Sequence, residues 1–226
     1  MTTTLLIPGL LCDRTVWAPI LDRLPAVVAD LSTQDDLTRM AADLLAQYPG
    51  PLRVAGHSMG ARVAMEMARL APGRIERLAL LDTGIHPLRE GERAKRDEIV
   101  RLAHAQGMAA LCDRWLPPMV WQGNHARTAL MADLRAMVLR MDADLHERQI
   151  KALVNRPDAS EYLTAIRCPV LLLVGRHDAW SPVAQHEDML ALLPDARLVV
   201  IEDAGHFAPV EQPQAVAAVL LPFLQV

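Results

Sequence analysis

The chain predicts an α/β protein built on a mostly parallel sheet of about six strands with flanking helices. Three observations carry that reading. Short apolar runs of strand length alternate with segments of helical periodicity along most of the chain, as Thr3-Thr4-Leu5-Leu6-Ile7 and Leu37 to Gln47 illustrate. Val170-Leu171-Leu172-Leu173-Val174 is apolar throughout, the pattern of a strand covered on both faces. Gly56-His57-Ser58-Met59-Gly60 stands at a strand-to-helix junction, with small residues where a sharp turn needs them.

The elements follow in chain order. Thr3 to Ile7 is the first strand, with a helix from Thr15 to Leu24 and a strand over Ala26 to Asp30 behind it. A helix spans Leu37 to Gln47 and is closed by Tyr48-Pro49-Gly50, since proline cannot continue it and glycine tolerates the turn. Pro51 to Ala55 is a brief apolar-rich strand. From Met59 to Leu70, Val63, Met67 and Leu70 recur at helical spacing with Ala61, Ala64 and Ala68 between them, which suits a helix lying on a sheet. Arg74 to Leu81 is the next strand. Val170 to Val174 and Leu198 to Ile201 are the later ones, separated by a helix from Val183 to Leu193 behind Ser181-Pro182, and Ala215 to Leu224 closes the chain as a helix.

Between Gly84 and about Ala165 the alternation stops. Helical patterns such as Glu98 to Ala105 and Arg127 to Met141 take over, so residues 85–165 are expected to form a helical cap inserted into a single domain spanning 1–226. Arg114-Trp115-Leu116-Pro117-Pro118-Met119-Val120-Trp121 holds two of the four tryptophans beside a proline pair. Two readings of Trp115, Trp121 and the neighbouring methionines stand side by side. They pack the cap against the sheet, or they roof an apolar pocket over Ser58. Arg89, Glu92, Arg93, Lys95 and Arg96 read as a solvated helix face.

Composition narrows the function classes. At 226 residues and 52% hydrophobic, the chain is long and apolar enough to bury a substantial core. A net charge of −4 gives no bias toward nucleic acid or an anionic membrane, so neither is an expected partner. No apolar stretch has the length of a membrane span, and Met1-Thr2-Thr3-Thr4 lacks the basic start and long apolar core of a signal peptide, so a cytoplasmic protein is expected. Cys12, Cys112 and Cys168 are odd in number and far apart, which argues against a disulfide framework. His86, His104, His125, His146 and His186 show no metal-ligand spacing and read as surface or packing residues, so no metal or organic cofactor is implied.

The chemistry-bearing residues fall in a telling order. Gly56 to Gly60 fits G-x-S-x-G, in which a tight turn exposes the serine Oγ at the start of a helix whose free N–H groups face the reaction centre. Asp178 follows the strand Val170 to Gly175, and His206 follows the strand Arg197 to Glu202. Ser58, Asp178 and His206 therefore each lie just past the carboxyl end of a strand, where open α/β sheets gather their chemistry. Two other acids compete with Asp178: Asp82 ends the strand Leu78 to Leu81, and Asp203 lies three residues before His206. Asp203 reads as a turn former.

With these motifs in hand, the chain resembles the α/β-hydrolase fold superfamily, in the broad group of small esterases, lactonases and related lyases. The resemblance rests on Leu6-Ile7-Pro8-Gly9, Gly56 to Gly60, Gly175-Arg176-His177-Asp178 and Gly205-His206-Phe207. It implies Ser58 as nucleophile, His206 as general acid and base, and Asp178 as the carboxylate that orients His206. It implies the backbone N–H groups of Met59 and Leu10 as the oxyanion hole, each such donor being worth about 3 kcal/mol. This chain has Pro8-Gly9 where many relatives have His-Gly, so Leu11 stands as the alternative second donor. The family commonly opens with two further strands forming an antiparallel edge, which this chain is expected to lack.

The expected activity is cofactor-independent hydrolysis of a small carboxylic ester or lactone through an acyl-enzyme on Ser58. Leu11, Arg62, Trp115, Trp121, Trp180 and Phe207 are the candidate pocket residues, while Trp17 reads as packing. Arg62 also opens a rival. Ser58-Met59-Gly60-Ala61-Arg62 is similar to the Ser-Met-Gly-Gly-Arg of a menaquinone-pathway lyase, in which the same triad abstracts a proton, though Ala61 departs from it. A third reading is a hydrolase-like binding protein without turnover, against which the complete triad speaks.

Overall fold

The computed structural model describes residues 1–225. Strand β1 (Thr3–Ile7) is followed by a 3-10 turn at Arg14–Trp17 and the short helix α1 (Ala18–Leu21), then β2 (Val27–Val28) and α2 (Leu37–Gln47). Next come β3 (Leu52–His57), α3 (Met59–Leu70) and β4 (Ile75–Leu81). Three helices occupy the stretch before the next strand: α4 (Glu92–Trp115), α5 (Thr128–Leu139) and α6 (Ala143–Val154). The chain closes with β5 (Val170–Gly175), α7 (Val183–Leu192), β6 (Ala196–Ile201), α8 (Ala208–Glu211) and α9 (Pro213–Gln225).

The six strands form one sheet in the order β2-β1-β3-β4-β5-β6, and every neighbouring pair is parallel. Chain order reverses beside β1, which has β2 on one side and β3 on the other. Loops leaving the carboxyl ends of β1 and β3 therefore diverge there and open a crevice, the place where such sheets receive ligands. The inner strands are buried toward their carboxyl ends, and β5 completely. Their apolar side chains join those of α2, α3 and α9 in one contiguous core. Among the described residues, no helix is long and apolar enough to cross a membrane.

Several elements differ from the expectation drawn on periodicity. The helix expected over Thr15–Leu24 breaks into a 3-10 turn, capped by Asp13, and one turn of α-helix carrying Pro19 near its start. Proline has no N–H to give a preceding carbonyl, so the two turns do not merge. The strand expected over Ala26–Asp30 ladders only at Val27 and Val28, because β2 is an edge strand and leaves β1 after that register. The expected helix Glu98–Ala105 lies within the much longer α4, whose regular backbone is interrupted at Gly107 with φ 82°. Helix α6 was hidden by the apolar run expected to end at Met141; Asp142 starts it by accepting the Leu145 N–H at 2.7 Å.

Close packing of α3 on β1 depends on one glycine. A Cβ on Gly60 would stand 2.3 Å from the Ile7 carbonyl oxygen and 2.5 Å from that of Pro8. Both obstacles are backbone and cannot swing away. Gly60→Ala is therefore expected to destabilise the fold by about 2 kcal/mol or more, in the range of overpacking strain. Urea unfolding measures this, and an unchanged midpoint would contradict the close approach.

Candidate active site

The turn between β3 and α3 places Ser58 at φ 55° and ψ −115°, a conformation that few side-chain-bearing residues adopt. Its neighbours make the turn possible. A Cβ on Gly56 would meet the Gly60 carbonyl oxygen at 2.4 Å and the Ala61 Cα at 2.5 Å, so both halves of the turn must be bare. The Ser58 N–H is held by the Leu81 carbonyl at 2.9 Å, and its own carbonyl accepts from the Thr83 hydroxyl at 3.0 Å. Although Ser58 caps α3, its hydroxyl makes no capping bond. It points instead at His206, whose Nε2 lies 2.8 Å from the Ser58 Oγ.

The far side of that imidazole meets a carboxylate. His206 Nδ1 is 2.8 Å from Asp178 Oδ2, and Asp178 Oδ1 accepts the backbone N–H groups of Trp180 at 2.8 Å and Ser181 at 2.9 Å. Burial works to raise the Asp178 pKa, but the neighbouring His206 and these donors outweigh it and hold the carboxyl below the usual carboxylate range. An ionised Asp178 keeps the proton on Nδ1 of a neutral His206, leaving Nε2 as the acceptor that faces the serine hydroxyl. The structure thus brings Ser58, His206 and Asp178 together from three loops. Asp82 makes other contacts: its Oδ1 accepts the Gly175 N–H at 2.9 Å, and its Oδ2, 3.8 Å from His57 Nε2, has no hydrogen-bond partner among the described residues. Burial and the nearby Asp178 push the Asp82 pKa well above the carboxylate range, which favours the neutral acid. Asp203 sits at φ 55°, its carbonyl accepting from the Asn124 and Gln212 side chains.

Three buried residues hold the site from behind. His57 donates from Nε2 to the His206 carbonyl at 2.7 Å, while the His206 N–H donates to the Met119 carbonyl at 2.8 Å, so the histidine backbone is fixed at both ends. His186 Nε2 accepts the Thr83 N–H at 3.2 Å, steadying the residue that holds the Ser58 carbonyl. The fully buried Glu211 takes the N–H groups on either side of His206, Gly205 at 3.0 Å and Phe207 at 3.1 Å, with one oxygen. Its other oxygen takes the Trp121 N–H and the Asn124 amide, both at 2.9 Å. A glutamate five residues past His206 in an otherwise apolar stretch is the one signal that could have exposed it.

Buried histidines give a pH prediction. Burial lowers His57 to about 3, His146 to about 4 and His186 to about 4, from an ordinary 6.5. Below pH 6.5 the unfolded chain takes up protons at these positions that the folded chain refuses, so stability falls as the pH falls toward 4. Asp82 acts with the opposite sign, because its raised pKa lets the folded chain bind a proton that the unfolded chain has released. Three sites against one leave a net loss of stability between pH 7.5 and pH 5. Urea midpoints at the two pH values test it, and an equal or higher midpoint at pH 5 would contradict neutral buried imidazoles.

A cavity of about 530 Å³ lies over Ser58, between the carboxyl end of the sheet and the helices α4 and α6. Leu10, Met59 and Arg62 line it from below, and Trp115, Trp180 and Phe207 stand on its wall. Met59 begins α3 and has no preceding turn to accept its N–H. Two expected pocket residues are not on that wall. Leu11 is fully buried at φ 56°, and its N–H donates to Gln149 Oε1 at 2.9 Å, so it is committed to joining the first loop to α6. Trp121 turns away to stack on His177, ring centroids 4.8 Å apart and planes 9° from parallel. The charges expected on a solvated face also divide. Arg89, Arg93 and Lys95 are exposed, though Arg89 and Lys95 also line the cavity, and Glu92 and Arg96 pair at 2.8 Å on the side of α4 that faces it. Cys12 lines the cavity, with burial raising its thiol pKa far above the ordinary value. Among the described residues, no cluster of potential metal ligands contributes to the cavity wall.

Residues 4–219 match the model of the alpha/beta hydrolase family. The chain is 29% identical over 183 residues to a pimeloyl-[acyl-carrier protein] methyl ester esterase from Nitrosomonas europaea, covering 78% of this chain and 71% of that protein. Among solved structures, a thermophilic esterase from Thermogutta terrifontis with malate bound superimposes with a TM-score of 0.91 at 27% identity, covering 100% of this chain and 90% of that one. An enol-lactonase from Burkholderia xenovorans superimposes at 0.88 and shares the fold at 22% identity, with 100% of this chain and 92% of that one covered.

Proposed function

The chain belongs to the alpha/beta hydrolase family, and from that membership we propose that it is a serine hydrolase of small carboxylic esters or lactones. One observation carries the reading: the continuous hydrogen-bonded path from Ser58 Oγ through His206 to Asp178, with both links at 2.8 Å. His206 takes the Ser58 proton as Oγ attacks the carbonyl carbon. The tetrahedral oxyanion is held by the N–H groups of Met59 and Leu10, and the imidazolium by Asp178. Collapse expels the alcohol, which receives the proton from His206, and leaves an ester on Ser58. Water activated by the same imidazole then releases the acid and restores the hydroxyl.

Similarity to esterases supports the ester class. Helices α4 to α6 serve as a cap, excluding water and setting the length of chain that fits. The test is hydrolysis of a chain-length series of p-nitrophenyl esters, together with mass-spectrometric mapping of a fluorophosphonate adduct. Turnover with a single adduct on the Ser58 peptide is the expected result; an enzyme inert to the whole series would remove simple ester hydrolysis. A second reading, elimination by the same three residues, draws support from the position of Arg62 in the cavity. It requires an enzyme that needs His206 yet accumulates no acyl-enzyme.

A further inference from the structure

Residues 119–127, between α4 and α5, lie directly on the loop that carries His206. A Cβ on Gly205 would stand 2.6 Å from the Trp121 nitrogen and 2.8 Å from the Met119 carbonyl oxygen, so the two backbones meet where Gly205 leaves room. The His206 N–H donates to that same Met119 carbonyl at 2.8 Å, and the Asn124 amide donates to the Asp203 carbonyl at 2.9 Å. The segment also reaches the loop of Asp178, since the Trp121 ring stacks on the neighbouring His177. Met119 in turn lines the cavity over Ser58. His206 itself follows β6, an edge strand that is only partly buried, so its place opposite Ser58 depends on what covers its loop.

One buried side chain joins the two segments. Glu211 Oε1 accepts the N–H groups of Gly205 and Phe207, and Oε2 accepts the Trp121 N–H and the Asn124 amide. All four partners are donors, two from each segment, and both oxygens act as acceptors, a role that a carboxylate fills and an amide cannot. The Glu211 carbonyl is held as well, accepting from Arg127 Nη1 at 2.6 Å at the far end of the cap segment. Burying a carboxylate is expensive, and what four directed bonds return is fixed geometry more than stability.

We propose that Glu211 is a positioning residue that locks cap residues 119–127 onto the histidine loop, so that the cap sets where the His206 imidazole stands relative to Ser58. The kinetic part rests on the hydrolase reading above; the geometric part does not. The test is Glu211→Gln in the full chain, first shown to unfold cooperatively. Glutamine keeps the shape but turns an NH2 toward two donors. His206 serves both acylation and deacylation, so its displacement lowers kcat for p-nitrophenyl butyrate while KM holds to within about threefold. The expected loss is about tenfold to a hundredfold, for which a shift of about 1 Å is enough. The proton on His206 Nδ1, which faces Asp178 at 2.8 Å, gives a downfield NMR resonance that needs no substrate, and it is expected to shift or broaden in the variant. Asn124→Ala keeps the carboxylate and removes one of its donors. It is expected to show the same pattern at about fivefold in kcat, the equivalent of one ordinary hydrogen bond, and it decides the matter if Glu211→Gln does not fold. A resonance that stays in place, a kcat that holds while the melting temperature falls, or a loss confined to KM would each overturn the positioning role and leave the hydrolase reading intact. A wild type inert to esters whose resonance moves in Glu211→Gln would do the reverse.

Discussion

Ser58→Ala is expected to lower kcat/KM for p-nitrophenyl esters roughly a million-fold, the scale seen when a triad nucleophile is removed. It should also abolish labelling by a fluorophosphonate. The hydroxyl at this turn is aligned with His206 Nε2, at 2.8 Å, and water in its place would lack both the covalent tether and the fixed approach. Folding should survive the change. The positive φ at position 58 is imposed by backbone bonds to Leu81 and Thr83, and Ala pays the same conformational cost there as Ser. Some rate above that in water, about a thousand-fold, should remain from the oxyanion donors and substrate binding. An adduct that persists at another residue in Ser58→Ala would remove Ser58 as the nucleophile.

The second large effect separates two buried acids. Asp178→Asn is expected to reduce kcat by about ten-thousand-fold, because an amide can donate to His206 Nδ1 and so favour the tautomer that leaves a proton on Nε2, facing the serine. Asp82→Asn should cost less than about tenfold. Its carboxyl is pushed toward the neutral form by burial, and an asparagine oxygen can still accept the Gly175 N–H. Side-by-side kcat measurements on the two variants decide the matter. Equal losses, or a greater loss at Asp82, would transfer the orienting role to the strand end before the cap.

Much of this was legible beforehand for a physical reason. Periodicity and turn chemistry are local, so α2 and α3 fell on their expected residues, and β1 likewise. The helix α6 was not legible, since it follows directly on the pattern expected to end at Met141 and its start is marked only by the side-chain cap of Asp142. Likewise Pro19 divided a helix whose periodicity alone looked unbroken. Glu211 escaped notice because its one local mark is its place in an apolar stretch, and only its four partners reveal what it holds.

By itself, the sequence determined the parallel α/β order, the glycines that permit the turn at Ser58, and the presence of a serine, an aspartate and a histidine past three strand ends. Those follow from bonded neighbours and short-range sterics. Tertiary structure alone decided which acid reaches His206, that Gln149 claims the Leu11 N–H from 138 residues away, that Trp121 faces His177, and that Arg62 lines the cavity over Ser58. Each of these is a distance between segments far apart in the chain. Side-chain reach is a few ångströms, so such pairings exist only after the strands have set their loops side by side.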